Sequence, residues 1–157
     1  MQDCLLIVDD EAVTRTVLCE YLRGLDVQIF VAHDGAEALE IVKKNKITAV
    51  LSDISMPKMK GTELLQQMRS LGYLTPFVIL TAFGDKRTAL EALRLGAFDF
   101  IGKPPERERL ISVTRKILEL GREIIFWENK VDFQSENVQH MITTLTSEED
   151  LDFKKKL

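Results

Sequence analysis

Cysteine is scarce in this chain: Cys4 and Cys19 are the only two in 157 residues. A chain of that length can hold itself together without covalent staples, and both thiols have apolar neighbours. Two buried, reduced cysteines are therefore expected rather than a disulfide. Histidine is equally rare, with His33 and His140 standing alone, so no Cys/His metal-binding spacing is present. No apolar run approaches the roughly 18 residues that a membrane span needs. Met1-Gln2-Asp3 also lacks a basic signal-peptide start. A cytoplasmic location without membrane contact is the resulting expectation. Positive charge is not in excess either, since the formal net charge is −4. Nothing in that balance favours direct nucleic-acid binding through a basic surface. What remains is ordinary for a globular chain, with 45% hydrophobic and 29% charged residues, and the length suits one domain with an appendage.

The apolar pattern switches repeatedly between strand and helix periods. Leu5 to Val8 is a short apolar run that ends in Asp9-Asp10-Glu11. From Ala12 the spacing becomes helical, with Val13, Val17, Leu18, Tyr21 and Leu22 on one face and Gly24 as a stop. Val27 to Ala32 reads as the second strand and Ala36 to Lys44 as a helix with Ala38, Leu39 and Val42 inward. Ala49-Val50-Leu51 leads a third strand to Asp53, and Pro57 keeps the following turn from folding straight into the next helix. That helix opens at Gly61, carries Leu64, Leu65 and Met68, and closes near Gly72. Phe77 to Leu80 forms a fourth strand ending at Thr81-Ala82. A helix from Asp85 or Lys86 to Leu95 follows, closed by Gly96. Phe98 to Ile101 is the fifth strand, then Gly102-Lys103-Pro104-Pro105, and a fifth helix starts soon after Pro105. Continuous apolar strands alternating with helices over about 120 residues predict an α/β fold with a doubly wound parallel sheet.

Apolar residues then recur at Leu110, Val113, Ile117, Leu120, Ile124, Trp127 and Val131, a 3.5-residue rhythm. Two readings follow: the fifth helix runs on to about Lys130 and presents a seam, or Gly121 caps it and Leu110 to Leu120 face the sheet. An interior glycine costs a helix only about 1 kcal/mol, which favours continuation. Beyond it, Ser135 to Leu145 suggests a separate short helix. Ser147-Glu148-Glu149-Asp150 resembles a capping box before a last weak helix, whose Lys154-Lys155-Lys156 reads as a solvated end. Domain bounds of 1–121 and 122–157, the second a helical C-terminal extension for dimerisation or partner binding, follow from this pattern.

In a parallel sheet all carboxyl strand ends share one edge, so Asp9, Asp10, Asp53, Thr81 and Lys103 should converge there. Each alone has a plain explanation: helix N-caps for Asp9 or Asp10, a strand-end threonine, a lysine before proline. Together they form a chemical set. Three neighbouring carboxylates need a compensating charge, and a hard divalent ion such as Mg²⁺ prefers oxygen ligands. A lysine and a hydroxyl beside that ion suit a phosphoryl group.

From about Leu5 to Leu120 the chain resembles the receiver domain of two-component response regulators. The residues that carry the resemblance are Asp9-Asp10-Glu11, Asp34-Gly35 with Glu37-Ala38-Leu39, Asp53 with Met56-Pro57, Met59 and Gly61, Thr81-Ala82, Gly96-Ala97 before Phe98-Asp99-Phe100, and Lys103-Pro104. The resemblance implies a five-stranded sheet in the flavodoxin-like order 2-1-3-4-5. It implies that Asp53 takes a phosphoryl group from a phosphohistidine on a sensor histidine kinase or a histidine phosphotransfer protein, so that the domain phosphorylates and dephosphorylates itself within a phosphorelay. Asp10 and Asp53 would bind Mg²⁺ with the backbone carbonyl of Ser55, and Asp9 would help through water. Thr81 and Lys103 would contact the phosphoryl group. Thr81 and Phe100 would form the switch, although Phe100 lacks the hydroxyl that many relatives have there, so it is either plain core or a switch driven by packing alone. Ser55 and Phe83 would tune the phosphoryl lifetime, the bulk of Phe83 hindering attack by water.

By the same resemblance, the face of helix 4, strand 5 and helix 5 would pass the signal to a homodimer or a downstream protein partner. Family members often carry a DNA-binding domain of about 60 to 100 residues. Some 36 residues follow Gly121 here, without a helix-turn-helix pattern, so output by protein contacts is expected. Two rival readings are a pseudo-receiver that acts as a binding or dimerisation module without phosphate, and a metal-dependent phosphatase acting on small molecules. The intact acidic set disfavours the first. The lack of a clear general acid or cap domain disfavours the second.

Overall fold

The computed structural model of the protein describes residues 1–82 and 86–130. Strands and helices alternate through them: β1 (Asp3–Val8), α1 (Ala12–Leu22), β2 (Val27–Ala32), α2 (Gly35–Lys44), β3 (Ala49–Asp53), α3 (Gly61–Ser70), β4 (Phe77–Ala82), α4 (Lys86–Arg94), β5 (Asp99–Lys103) and α5 (Arg107–Lys130). The strands pair in parallel in the order β2-β1-β3-β4-β5, as the resemblance implies. All five residues of β3 are buried, because helices cover a central parallel strand on both faces and leave no position for a solvated side chain.

Alternation along the strands splits the apolar residues between two cores. Leu6, Val8, Val50, Phe77 and Ile79 meet Ala38, Leu39 and Val42 of α2 and Leu64, Leu65 and Met68 of α3. Leu5, Ile7, Leu51, Val78 and Leu80 meet Leu18 and Leu22 of α1 and Leu110, Val113 and Ile117 of α5. The α1 face departs from its spacing. Val13 is 76% exposed and Val17 also lies at the surface, since the helix begins beyond the end of β1 and gains cover only from Leu18. Cys4 and Cys19 are free, as expected, but half-buried rather than buried.

Gly121 does not end α5. A Cβ there would fall inside the van der Waals envelope of the Thr48 carbonyl oxygen, so the missing side chain is what lets the helix lie against the segment entering β3. One residue further on, Arg122 pairs with Asp3 at the start of β1. Residues Met1–Ile124 form one compact unit. The rhythm read as a single seam has two parts: Leu110, Val113 and Ile117 are buried, whereas Trp127 is 42% exposed. Trp127 stands edge-on to Phe126 with ring centres 5.6 Å apart, and Lys130 Nζ lies 4.4 Å from the centre of the Phe126 ring. No helix among the described residues is long and apolar enough to cross a membrane. The expectations for Phe83, for Ser135 to Leu145, for Ser147 to Asp150 and for the terminal lysines lie outside the described residues.

Candidate functional site

Parallel register assembles the site. Val8 is level with Ser52, Asp53 with Leu80, and Ala82 with Lys103, so Asp9, Asp10, Asp53, Thr81 and Lys103 arrive together at the carboxyl edge. Asp9 is fully buried and held from several sides. Its N–H donates to the Ala32 carbonyl at 3.1 Å, extending the β1–β2 ladder by one step. Its Oδ1 accepts from the Glu11 N–H at 2.9 Å and its Oδ2 from Lys103 Nζ at 2.6 Å. The same ammonium lies 3.2 Å from Asp53 Oδ1. Asp10 is exposed, yet one carboxylate oxygen each from Asp9, Asp10 and Asp53 can be chosen so that all lie within 4.8 Å of one another.

The loop after β3 is built to hold Asp53 in place. The Ile54 N–H donates to the Leu80 carbonyl at 3.1 Å, and the Gly61 N–H donates to the Ile54 carbonyl at 2.9 Å. A Cβ on Gly61 would overlap the Asp53 carbonyl oxygen, so α3 starts as close to Asp53 as backbone permits. Between them, Lys58 adopts φ 69°, a left-handed conformation that costs a non-glycine residue roughly 1–2 kcal/mol. Ser55 is exposed, and among the described residues its carbonyl accepts no backbone hydrogen bond.

Charge balance at the site is tight. Burial pushes the Asp53 carboxyl above its usual value, Lys103 pulls it back, and Asp9 adds a further upward push. For Lys103, burial works to lower the pKa, but the hydrogen bond to Asp9 and the charges of both carboxylates outweigh it and leave it raised. Thr81 is buried, and its hydroxyl donates to the Ala82 carbonyl at a long 3.3 Å. The Lys103–Pro104 peptide is cis. Phe100 is half-buried and packs against the core that α2, α3 and α4 cover, while Phe83 lies outside the described residues.

One contributor escapes the sequence pattern, and so does the reason for a second. Gly61 carries part of the resemblance, but its backbone proximity to Asp53 is announced by no spacing. Arg15, in the second turn of α1, donates from Nη1 to the Asp9 carbonyl at 2.7 Å; only its place six residues after the first aspartate hints at this. The clustered donor set is wholly oxygen, from the three carboxylates of Asp9, Asp10 and Asp53. That chemistry fits a small hard cation such as Mg²⁺ completed by water, and it does not fit a softer metal that wants nitrogen or sulfur.

Comparison with known proteins bears on the family of the chain. The family model described as "Response regulator receiver domain" matches residues 5–115. Transcriptional regulatory protein ZraR of Salmonella typhimurium is 36% identical over 119 residues, 76% of this chain and 27% of that protein. Response regulator MprA of Mycobacterium ulcerans is 34% identical over 114 residues, 73% of this chain and 49% of that protein. The crystal structure of the receiver domain of NtrX from Brucella abortus superposes with a TM-score of 0.70 at 32% identity, covering 73% of this chain and 98% of that domain. The chain thus spans between about a quarter and a half of the length of those two regulators.

Proposed function

The chain belongs to the response regulator receiver family, and from that premise we propose that Asp53 accepts a phosphoryl group from a phosphohistidine on a sensor kinase or phosphotransfer protein, with Mg²⁺ bound beside it. A carboxylate oxygen of Asp53 attacks phosphorus, the new O–P bond forms as the N–P bond of the phosphohistidine breaks, and the imidazole departs. The mixed anhydride is later opened by water, returning the carboxylate and releasing inorganic phosphate. Little covalent assistance is required beyond alignment and charge neutralisation.

The observation that carries this reading is Lys103 Nζ seated between Asp9 at 2.6 Å and Asp53 at 3.2 Å, within reach of any group added to Asp53. Its ammonium would pair with one phosphoryl oxygen. Thr81 would donate to another, giving up only its long bond to Ala82. Asp10, Asp53 and the Ser55 carbonyl would hold the ion. Asp9 already has both oxygens engaged, which suits contact through water. When bound, Mg²⁺ supplies positive charge against the carboxylate and phosphoryl oxygens as they approach.

Residues 1–121 would carry this chemistry and residues 122–157 a helical extension that dimerises or binds a partner. Signal would leave through the face of α4, β5 and α5, with Thr81 and Phe100 moving together. One experiment tests the acceptor role: incubation with Mg²⁺ and acetyl phosphate, read by intact mass. A single phosphoryl adduct, absent with EDTA and absent in Asp53→Ala, is expected. A folded wild-type protein that takes no adduct would point to a binding module, and rapid multiple turnover to a phosphatase.

A further inference from the structure

We propose that Arg15 is a positioning residue for the acidic pocket, fixing the β1–α1 turn so that Asp10 is held toward Asp53; the inference rests on the acceptor reading above. Between the end of β1 at Val8 and the start of α1 at Ala12, three residues must both reverse the chain and present two carboxylates. Most of the polar groups there have partners. The Asp9 N–H continues the ladder to Ala32, and both Asp9 carboxylate oxygens are taken by Glu11 and Lys103.

The Asp9 carbonyl is the exception. It lies past the last strand pair, Val8 with Ala32, and before the first bond of the helix, Arg15 N–H to Glu11 carbonyl. A carbonyl on a fully buried residue needs a donor, and neither regular element supplies one. Arg15 supplies it from the side, through Nη1 at 2.7 Å, a short charge-assisted bond. Arg15 thus grips the turn twice, by its backbone at Glu11 and by its guanidinium at Asp9.

The geometric consequence falls on Asp10. The Asp9 carbonyl and the Asp10 nitrogen belong to one planar peptide unit, so a donor that fixes the carbonyl direction also fixes where the Asp10 Cα lies and leaves the direction of its Cβ to the Asp10 φ. Among the described residues the Asp10 carboxylate makes no hydrogen bond or ion pair of its own, and its residue is exposed. Its nearness to Asp9 and Asp53 therefore depends on the backbone of the turn, and Arg15 is the side chain that holds that backbone at the Asp9 carbonyl. Outer partners of metal-binding groups commonly change metal affinity by ten- to a hundredfold when removed.

The test compares Arg15→Met, which keeps the length of the stem and loses every donor, with Arg15→Lys. Mn²⁺ binding is followed by electron paramagnetic resonance without any phosphodonor. The Mg²⁺ half-saturation and the saturated rate of labelling by acetyl phosphate are measured alongside. Mn²⁺ affinity should fall about tenfold in Arg15→Met, with the Mg²⁺ half-saturation rising in step. At saturating Mg²⁺ the labelling rate should stay within about twofold, because excess ion restores the arrangement. Arg15→Lys should recover most of the affinity.

Val42→Ala, a change in the buried core of α2, serves as the control for a general loss of stability. Mn²⁺ affinity within twofold of wild type in Arg15→Met would overturn the proposal, as would an equal loss in Val42→Ala. Wild-type protein that binds Mn²⁺ but accepts no phosphoryl group would remove the acceptor reading alone, and the Mn²⁺ titration would still decide the role of Arg15.

Discussion

Asp53 sits in a balance that a single neutral atom group would upset. Its carboxyl is pushed up first by burial and then by Asp9, against the pull of Lys103. The sign of the resulting pH dependence is fixed. A carboxyl whose folded pKa exceeds its unfolded value imposes no penalty at pH below the unfolded value, near 4, and opposes folding increasingly as pH rises through the folded value. Asp53→Asn removes that titration. In EDTA at pH 7 the variant should melt above wild type. The gap should close toward pH 4 and narrow when Mg²⁺ is added, and equal melting temperatures at pH 7 would count against the assigned electrostatics. A second residue offers an independent check. Thr114 is fully buried in α5 and its hydroxyl has no hydrogen-bond partner among the described residues. Thr114→Val keeps the shape and removes the unpaired group, so stability in urea should rise by about 1 kcal/mol. At this scale the reactive set was legible because Asp9, Asp10, Asp53, Thr81 and Lys103 all stand at strand ends. Arg15 was not legible, because its work is done on another residue's carbonyl, to which no residue type is specific.

Among the elements, helix and strand periods located every strand and helix of the sheet domain, with errors confined to their ends. β1 starts at Asp3 rather than Leu5, because Asp3 and Cys4 pair with Val27 and Gln28 although neither belongs to the apolar run. β5 reaches Lys103 through its pairing with Ala82, which carries the lysine as the last strand residue. Helix faces are read less well than helix spans: Val13 fits the α1 period, yet nothing covers that turn. Glycine is where the pattern misleads most. In α5, Gly121 looks like either a stop or a defect, and helix propensity alone says that alanine there would gain about 1 kcal/mol. Packing reverses the sign. A methyl group would meet the Thr48 carbonyl, and strain of that kind costs about 1–3 kcal/mol. Gly121→Ala should therefore lower the urea midpoint, whereas Gly24→Ala, with nothing within 4 Å, should stay within about 0.5 kcal/mol of wild type. A stabilised Gly121→Ala would mean that α5 does not press on the entry to β3.

Across the whole molecule, the parallel sheet follows from periodicity, but the strand order β2-β1-β3-β4-β5 does not. Alternating apolar runs permit several doubly wound orders, and the register that brings Lys103 to Asp53 depends on which is adopted. Only the combined placement of Asp9, Asp53, Thr81 and Lys103, matched as a family set, singled out one. The continuation of α5 to Lys130 has a different standing, because Gly121 is accounted for by packing and no longer argues for a stop. Past that point Phe126 and Trp127 are both large and exposed, and aromatic residues gathered at a surface are the usual anchors of protein contacts. A chain ending at Ile124 contains the compact unit Met1–Ile124 and should fold cooperatively and label on Asp53 as the longer chain does. If the extension serves self-association, the two chains should differ only in assembly. With Mg²⁺ and beryllofluoride as acyl-phosphate mimic, the 157-residue chain should shift toward dimer in sedimentation, and the emission of Trp127, its single tryptophan, should move to shorter wavelength as the indole leaves water. The shorter chain should remain monomeric under the same conditions. Equal self-association with and without the mimic would sever phosphorylation from assembly and leave α5 beyond Ile124 as a surface for a different protein.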